Sequence, residues 1–268
     1  MYNIFYKDLG GKMELIKSKD NGTFKFIKKL KSKKYRDAEK LFLAEGVKFL
    51  DFTKEPQMII ISEEITIDEK LQERLDKFSS RKIILDGKLF DQITSQENSQ
   101  GVIIVYESNL ISEEELNANN IVVLNRVNDP GNLGTIIRVA DAAGFKDILI
   151  TKGSVDCYNE KTVRSSMGSI LSTNIYYIEE ERVVEFLKNR NYKVIATALE
   201  KDSIPYTSMK LEEKNAIIFG NEGNGIEKFI IENSDEKIII PIYGSAESLN
   251  VAMASGIVLY EVRNKLNK

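Results

Sequence analysis

The chain has no histidine. That absence excludes histidine-based triads, histidine metal sites and the usual general base at neutral pH, so any proton transfer must use another group. A single cysteine, Cys157, excludes an intrachain disulfide and a cysteine metal cluster, and a reducing cytoplasm is its simplest setting. No apolar run approaches the roughly 18 residues that a membrane helix needs. The opening stretch MYNIFYKDLGGK has no basic start followed by an apolar core, so it does not read as a secretory signal. Met13 is a second plausible start, and residues 1–12 read as an extension. There is neither an internal repeat nor a low-complexity tract.

What is present suits two modest domains or one large one: 268 residues, 42% hydrophobic and 29% charged. The net charge of −3 hides an asymmetry, because residues 1–50 hold 13 Lys and Arg against 6 Asp and Glu. The densest part, KFIKKLKSKKYR, carries Lys28, Lys29, Lys33, Lys34 and Arg36, with Phe24, Phe26 and Tyr35 interleaved. A solvated helix face and a polyanion-binding surface both fit this cluster.

The first hundred residues alternate helix and strand. FKFIKKLKSKKYRDAEKLF reads as one helix, PQMIIISEE as a buried strand, DEKLQERLDKFSS as an amphipathic helix, and KIILDG and GVIIVYE as strands. A small α/β domain over 1–106 follows, then an acidic linker over 107–120 with room for a helical turn. From Ile121 apolar strands alternate with helices to the end, which implies a parallel sheet covered on both faces over 121–268.

Three strand ends in that second part run into glycine-rich or polar corners: NDPGNLGTIIRVADAAGF (128–145), IIFGNEGNGI (217–226) and IIIPIYGSAESLNVAMASG (238–256). In open α/β sheets ligands bind beyond the carboxyl ends of strands, so three such corners suggest one pocket with three walls. GNEGNG is not a dinucleotide fingerprint, because its glycine order is reversed and no acidic residue ends the next strand. That counts against a nucleotide-dependent oxidoreductase. No Gly-Lys-Ser/Thr follows, so it is not a phosphate-binding P-loop either.

Taken together in their order, spacing and position, the three corners resemble the motifs of the SpoU/TrmH branch of SPOUT RNA methyltransferases. The basic N-terminal part resembles, more softly, the ribosomal L30e-type RNA-binding domain often found ahead of that fold. The resemblance implies a deep trefoil knot in the sheet domain and a homodimer. It implies S-adenosylmethionine-dependent 2′-O-methylation of ribose in structured RNA; the missing histidines, single cysteine and lack of a long apolar run carry the expectation of no metal and no membrane. Large-subunit (23S) ribosomal RNA is the expected target, since branch members acting on tRNA are often shorter. A tRNA methyltransferase and a non-catalytic ribosome-associated protein of the same fold are the alternatives.

The resemblance also assigns residues. Gly220, Ile240 and Leu249 match cofactor-binding positions, with Ile242 beside them and Thr197 at an earlier strand end; Asn221, Glu222 and Gly223 shape the same loop. Ile240 and Leu249 fit plain core equally well, and Glu222 equally suits a cap for a helix starting near Gly225. Ser248 and Asn250 fall at the start of the last helix, where such residues are favoured as caps, and the family places both in the active site. Asn132 carries the same two readings, an active-site residue like Glu222 or a cap fixing the entry to the helix that carries Arg138.

Arg138 matches the catalytic arginine. Read from the helix alone, it fits a surface ion pair to Asp141, worth about 0.2–0.5 kcal/mol. Ile137 and Ala140 fall on the packed side, and Thr135, Arg138, Asp141 and Ala142 on another. The family account makes the arginine a general base. A guanidinium that stays protonated is better suited to grip phosphate and stabilise developing negative charge.

Overall fold

The computed structural model describes residues 13–267, so the twelve-residue extension lies outside the described residues. The chain divides into two compact units between Ser108 and Asn109.

The first unit runs β1 (Glu14–Ile16), α1 (Gly22–Lys29), α2 (Lys33–Glu39), β2 (Leu41–Glu45), β3 (Met58–Ser62), α3 (Glu69–Leu75), β4 (Arg81–Leu85), α4 (Gly87–Phe90) and β5 (Val102–Glu107). Its five strands lie in the order β1-β4-β3-β5-β2. The first three pair in parallel and β5 runs antiparallel to both its neighbours. One helix was expected over 24–42. Instead α1 ends at Lys29, α2 begins at Lys33, and LFLAE is strand β2. Lys40, left-handed at φ 54°, breaks α2 from the strand without a glycine. Phe24, Ile27 and Leu30 are buried against Leu43, Ile60 and Ile83.

The second unit runs β6 (Leu110–Ile111), β7 (Asn120–Leu124), α5 (Pro130–Ala142), β8 (Asp147–Thr151), α6 (Glu160–Ser165), β9 (Asn174–Ile178), α7 (Val183–Asn189), β10 (Lys193–Thr197), β11 (Ile204–Pro205), β12 (Asn215–Phe219), α8 (Lys228–Glu232), β13 (Glu236–Ile239) and α9 (Val251–Leu266). Within the stretch expected as linker, β6 pairs with β9 and residues 113–115 form a 3-10 turn. The strand order is β11-β13-β10-β12-β7-β8-β9-β6, and every pairing is parallel. Helices cover both faces, which is why β7, β10 and β12 are unbroken apolar runs. The chain steps outward from β7 to β9, then returns to the far side of β7 for the rest. As a result β13, β10, β12 and β7 are neighbours pointing the same way, and their C-terminal turns emerge together.

α9 lies alongside α5 in parallel. Asn250 bonds Asn132 at the start of α5, Gly256 faces Val139, and Arg263 donates to the carbonyls of Ala143 (2.7 Å) and Gly144 (2.8 Å) at its end. A cation there also complements the helix dipole. α6 packs on another side, where a Cβ at Gly134 would lie 2.3 Å from the Thr162 carbonyl, so only glycine permits the approach.

Candidate active site

Where β10, β12 and β13 end, the chain encloses a cavity of about 580 Å³. Thr197, Gly220, Asn221, Gly223, Ile240, Ile242 and Leu249 all line it, as do Glu222 and Ser248. Ile238, Val251 and Val258 extend the apolar wall, and Leu199 and Glu247 are further lining residues that sequence reasoning missed. Ile240 is half-buried, and Leu249 is 39% exposed, so the plain-core reading does not hold for Leu249. The Thr197 hydroxyl donates to the Ile218 carbonyl (2.9 Å), which joins the ends of β10 and β12. A Cβ at Gly220 would meet the backbone of Gly225 and Ile226 at 2.3–2.5 Å, so the turn closes only with glycine there.

That turn is stapled by Asn221. Its side-chain oxygen accepts from the N–H groups of Gly223 (2.8 Å) and Asn224 (3.0 Å), and its amide donates to the Arg126 carbonyl (2.9 Å). The staple aims Glu222 at the first corner. The amide of Asn132 donates to the Glu222 carboxylate (2.9 Å), and the amide of Asn250 donates to the Asn132 side-chain oxygen (2.9 Å). The three corners are thus joined by one chain of side chains, Glu222–Asn132–Asn250.

Three capping expectations change. Asp129, not Asn132, caps α5, its carboxylate accepting from the Asn132 N–H (2.8 Å), with Pro130 in the first turn. Asn132 lies inside the helix, where its side chain is free to face Glu222. Glu222 does not cap the following helix, because α8 starts only at Lys228. Asn250 does cap α9, accepting from Ala252 and Met253, while Ser248 lies two residues earlier in the exposed loop. The Asp129 carboxyl is held below the usual carboxylate range, first by its bond to Lys161 and then by the Asn132 N–H.

Arg138 is exposed on α5, with Ile137 and Ala140 buried on the packed side. The alternative reading, an ion pair to Asp141, is not formed; Asp141 pairs with Lys146 instead. Among the described residues no hydrogen bond or ion pair engages the Arg138 guanidinium.

Beneath the first corner lies a polar network that sequence reasoning missed. Asn125, fully buried, donates to Thr151 (3.2 Å) and Glu180 (2.9 Å) and accepts from the Glu227 N–H (2.9 Å). Arg126, left-handed at φ 53°, grips Glu180 through two bonds of 2.7 and 2.8 Å and also pairs with Glu227. Hydrogen bonding to Glu180 raises the Arg126 pKa further above its ordinary value. This charge-assisted fork fixes the turn after β7, where the Arg126 carbonyl accepts from Asn221.

The cationic cluster of the first unit is mixed. Lys28, Lys29, Lys33 and Lys34 are exposed. Lys28 bonds Gln92 (2.8 Å), Lys29 lies over the Tyr35 ring (5.4 Å), and Lys33 pairs with Asp37 (2.6 Å). Arg36 does not belong with them: it is buried, and its guanidinium donates to the carbonyls of Leu30 (2.9 Å) and Lys31 (2.7 Å). It closes the end of α1 instead of facing a ligand. Phe24 is core, and Phe26 is half-buried.

Residues 119–260 match the model of the SpoU rRNA Methylase family, and residues 21–104 match the MRM3-like substrate binding domain. The chain is 35% identical over 256 residues to the 23S rRNA (guanosine(2553)-2′-O)-methyltransferase RlmP of Bacillus subtilis (strain 168), covering 94% of this chain and 100% of that one. It is 34% identical over 142 residues to the 23S rRNA (guanosine-2′-O-)-methyltransferase RlmB of Escherichia coli (strain K12), covering 53% of this chain and 58% of that one. Its structure resembles the AdoMet-bound rRNA methyltransferase of Sinorhizobium meliloti with a TM-score of 0.82 at 29% identity, covering 96% and 99% of the two chains.

Proposed function

The chain belongs to the SpoU rRNA methylase family, and from that premise we propose that it is an S-adenosylmethionine-dependent enzyme methylating a ribose 2′-hydroxyl in 23S ribosomal RNA. The observation that carries the reading is the Glu222–Asn132–Asn250 chain, which joins three corners beside one cavity while Arg138 stands uncommitted on the helix that starts there.

The cavity fits the cofactor. Its volume of about 580 Å³ falls within the roughly 300–1,000 Å³ of small-molecule sites. Thr197, Gly220, Asn221, Gly223, Ile240, Ile242 and Leu249 would hold the cofactor, the apolar side chains against adenine and the turn backbone against its polar edge. When bound, it supplies an electrophilic methyl group on a sulfonium.

The chain's own residues position the acceptor. The Arg138 guanidinium grips an RNA phosphate and stabilises the negative charge that develops on the 2′-oxygen. A general-base role would require a neutral guanidinium, which proteins do not support, so the 2′-hydroxyl proton leaves to water as the methyl group passes from sulfur to oxygen. Ser248 and Asn250 orient the ribose, and Glu222 holds the Asn132 amide, whose oxygen in turn receives the Asn250 amide. Lys28, Lys29, Lys33 and Lys34 supply RNA affinity from the first unit.

Three further parts of the reading have separate support. Met253, Ile257 and Tyr260 form an exposed stripe along α9 at i, i+4 and i+7, which suits the contact of a homodimer. The turns at 220–227 and 240–250 wrap one cavity before α9 returns to α5, which suits a trefoil knot. An RNA substrate and a lone buried cysteine suit the cytoplasm.

The test is transfer of labelled methyl from S-adenosylmethionine to ribosomal RNA and to tRNA, with protein whose dimer mass is read by light scattering. Label on a 23S ribose 2′-oxygen is the expected outcome. Label in tRNA would keep the chemistry and change the substrate. Cofactor binding without label in any RNA would leave a non-catalytic RNA-binding protein.

A further inference from the structure

The rim of the cavity bears an aromatic side chain that folding does not explain. Tyr243 is 96% exposed and immediately follows Ile242, which lines the cavity. Among the described residues it makes no hydrogen bond or ring contact. Leu199, itself a lining residue, is 79% exposed. The parallel register pairs Thr197 with Ile238, so the chain leaves β10 and β13 side by side, and Leu199 and Tyr243 both follow the C-terminal ends of these neighbouring strands. A scattered surface leucine needs no account. A tyrosine ring held almost wholly in water, on the same loop as Ser248 and Asn250, is different.

We propose that Tyr243 stacks on a nucleobase of the RNA substrate, at or next to the nucleotide whose ribose is methylated. This inference rests on the methyltransferase reading above. The reaction itself brings the occupant there. A reacting 2′-oxygen must come within about 3–3.5 Å of the methyl group, so the bases of that nucleotide and its neighbours lie over the rim. Tyr243 is one residue, about 3.8 Å along the backbone, from the cavity wall. The chemistry of the loop selects a base over a phosphate: residues 240–250 contain no Lys or Arg, and their one charged residue is Glu247. Aromatic stacking is how proteins hold bases that have left a helical stack, and it tolerates any base because each has a π-face.

The test compares Tyr243→Ala, Tyr243→Phe and Tyr243→Trp with the wild-type protein. The KM for RNA and kcat are measured beside the Kd for S-adenosylhomocysteine, the mass in solution and thermal unfolding. Stacking is worth about 1–3 kcal/mol per base, so Tyr243→Ala should raise the KM for RNA roughly 5- to 150-fold. Cofactor affinity, mass and unfolding should not change, and Phe and Trp should restore the KM. An unchanged KM for Tyr243→Ala overturns the proposal. So does a Phe variant as impaired as Ala, since the hydroxyl would then be the contact. A Tyr243→Ala protein that loses dimer mass also overturns it, since the ring would then face a second copy. Wild-type protein that methylates no RNA would overturn this proposal together with the reading beneath it. An active wild type with an unaffected Tyr243→Ala overturns the stacking alone.

Discussion

Arg138 and Arg36 are the same residue type put to opposite uses. Arg36 is buried and spends its donors on the carbonyls that end α1, so its role is structural. Arg138 is exposed and its donors are uncommitted among the described residues. Replacing Arg138 with Ala should therefore cost little in folding, within about 0.5 kcal/mol as for a surface substitution. It should slow single-turnover methylation on the order of a hundredfold or more, as loss of a transition-state charge contact does. Lys keeps the charge without the planar fork, so Arg138→Lys should remain badly impaired if the phosphate is held through two bonds. Cofactor affinity should stay near normal in both, because Arg138 does not line the cavity. Near-normal methylation by Arg138→Ala would sink the catalytic assignment, and an Ala variant that unfolds would make the arginine structural.

At the scale of elements, α5 depends on a cap that could not be told from its neighbours by residue type. Asp129 and Asn132 both suit a helix start, and only the path of the chain through Pro130 decides that Asp129 takes it. Asp129→Ala should cost about 1 kcal/mol and loosen the first turn, where Asn132 faces Glu222. The cap should also carry a pH signature. Folding holds the Asp129 pKa below its ordinary value of 3.8, so its contribution is present above that value and lost as pH falls through the lower folded one. Thermal unfolding should fall more steeply below about pH 4 in the wild type than in Asp129→Asn, which still caps but does not titrate. Parallel acid profiles would refute the assignment.

Apart from the two-residue strands β6 and β11, the strands of the second unit and its three corners were legible, because alternating apolar runs and glycine-rich turns follow from local physics. The break at Lys40 was not. Leu41 continues the helical spacing of Phe26, Ile27 and Leu30, and no glycine or proline marks the strand that starts there. Nor was the Asn125–Arg126–Glu180–Glu227 network, because Glu180 and Glu227 come from segments 54 and 101 residues away from Arg126. A polar residue's burial depends on such distant partners, whereas the apolar rhythm does not. Arg36 failed for the same reason: periodicity gives every cation in KSKKYR the same reading, and only packing buries one of them.

Across the whole molecule, positive charge is concentrated in residues 1–50 of an acidic chain. Neutralising Lys28, Lys29, Lys33 and Lys34 together should weaken RNA binding and flatten its salt dependence, because each phosphate contact releases counterions. Arg36 should be left in place, since its removal would unsettle α1 and obscure the result. Cofactor affinity, carried by the second unit, should not move. If RNA affinity at moderate salt is unchanged, those lysines are only a solvated face.

The bonds that fix α9 along α5 join residues 118 to 120 positions apart, at the first turn of α5 and again at its end. Contacts that distant in sequence close a large loop, and such closures form slowly. The helix bearing Arg138 is therefore held at both ends by the same sequence-distant partner. If α9 detaches, the Asn250 link, the apolar wall at Val251 and Val258, and the C-terminal clamp on α5 all go at once. Catalytic competence in the second unit is then a cooperative property, gained and lost in one step as the last helix docks.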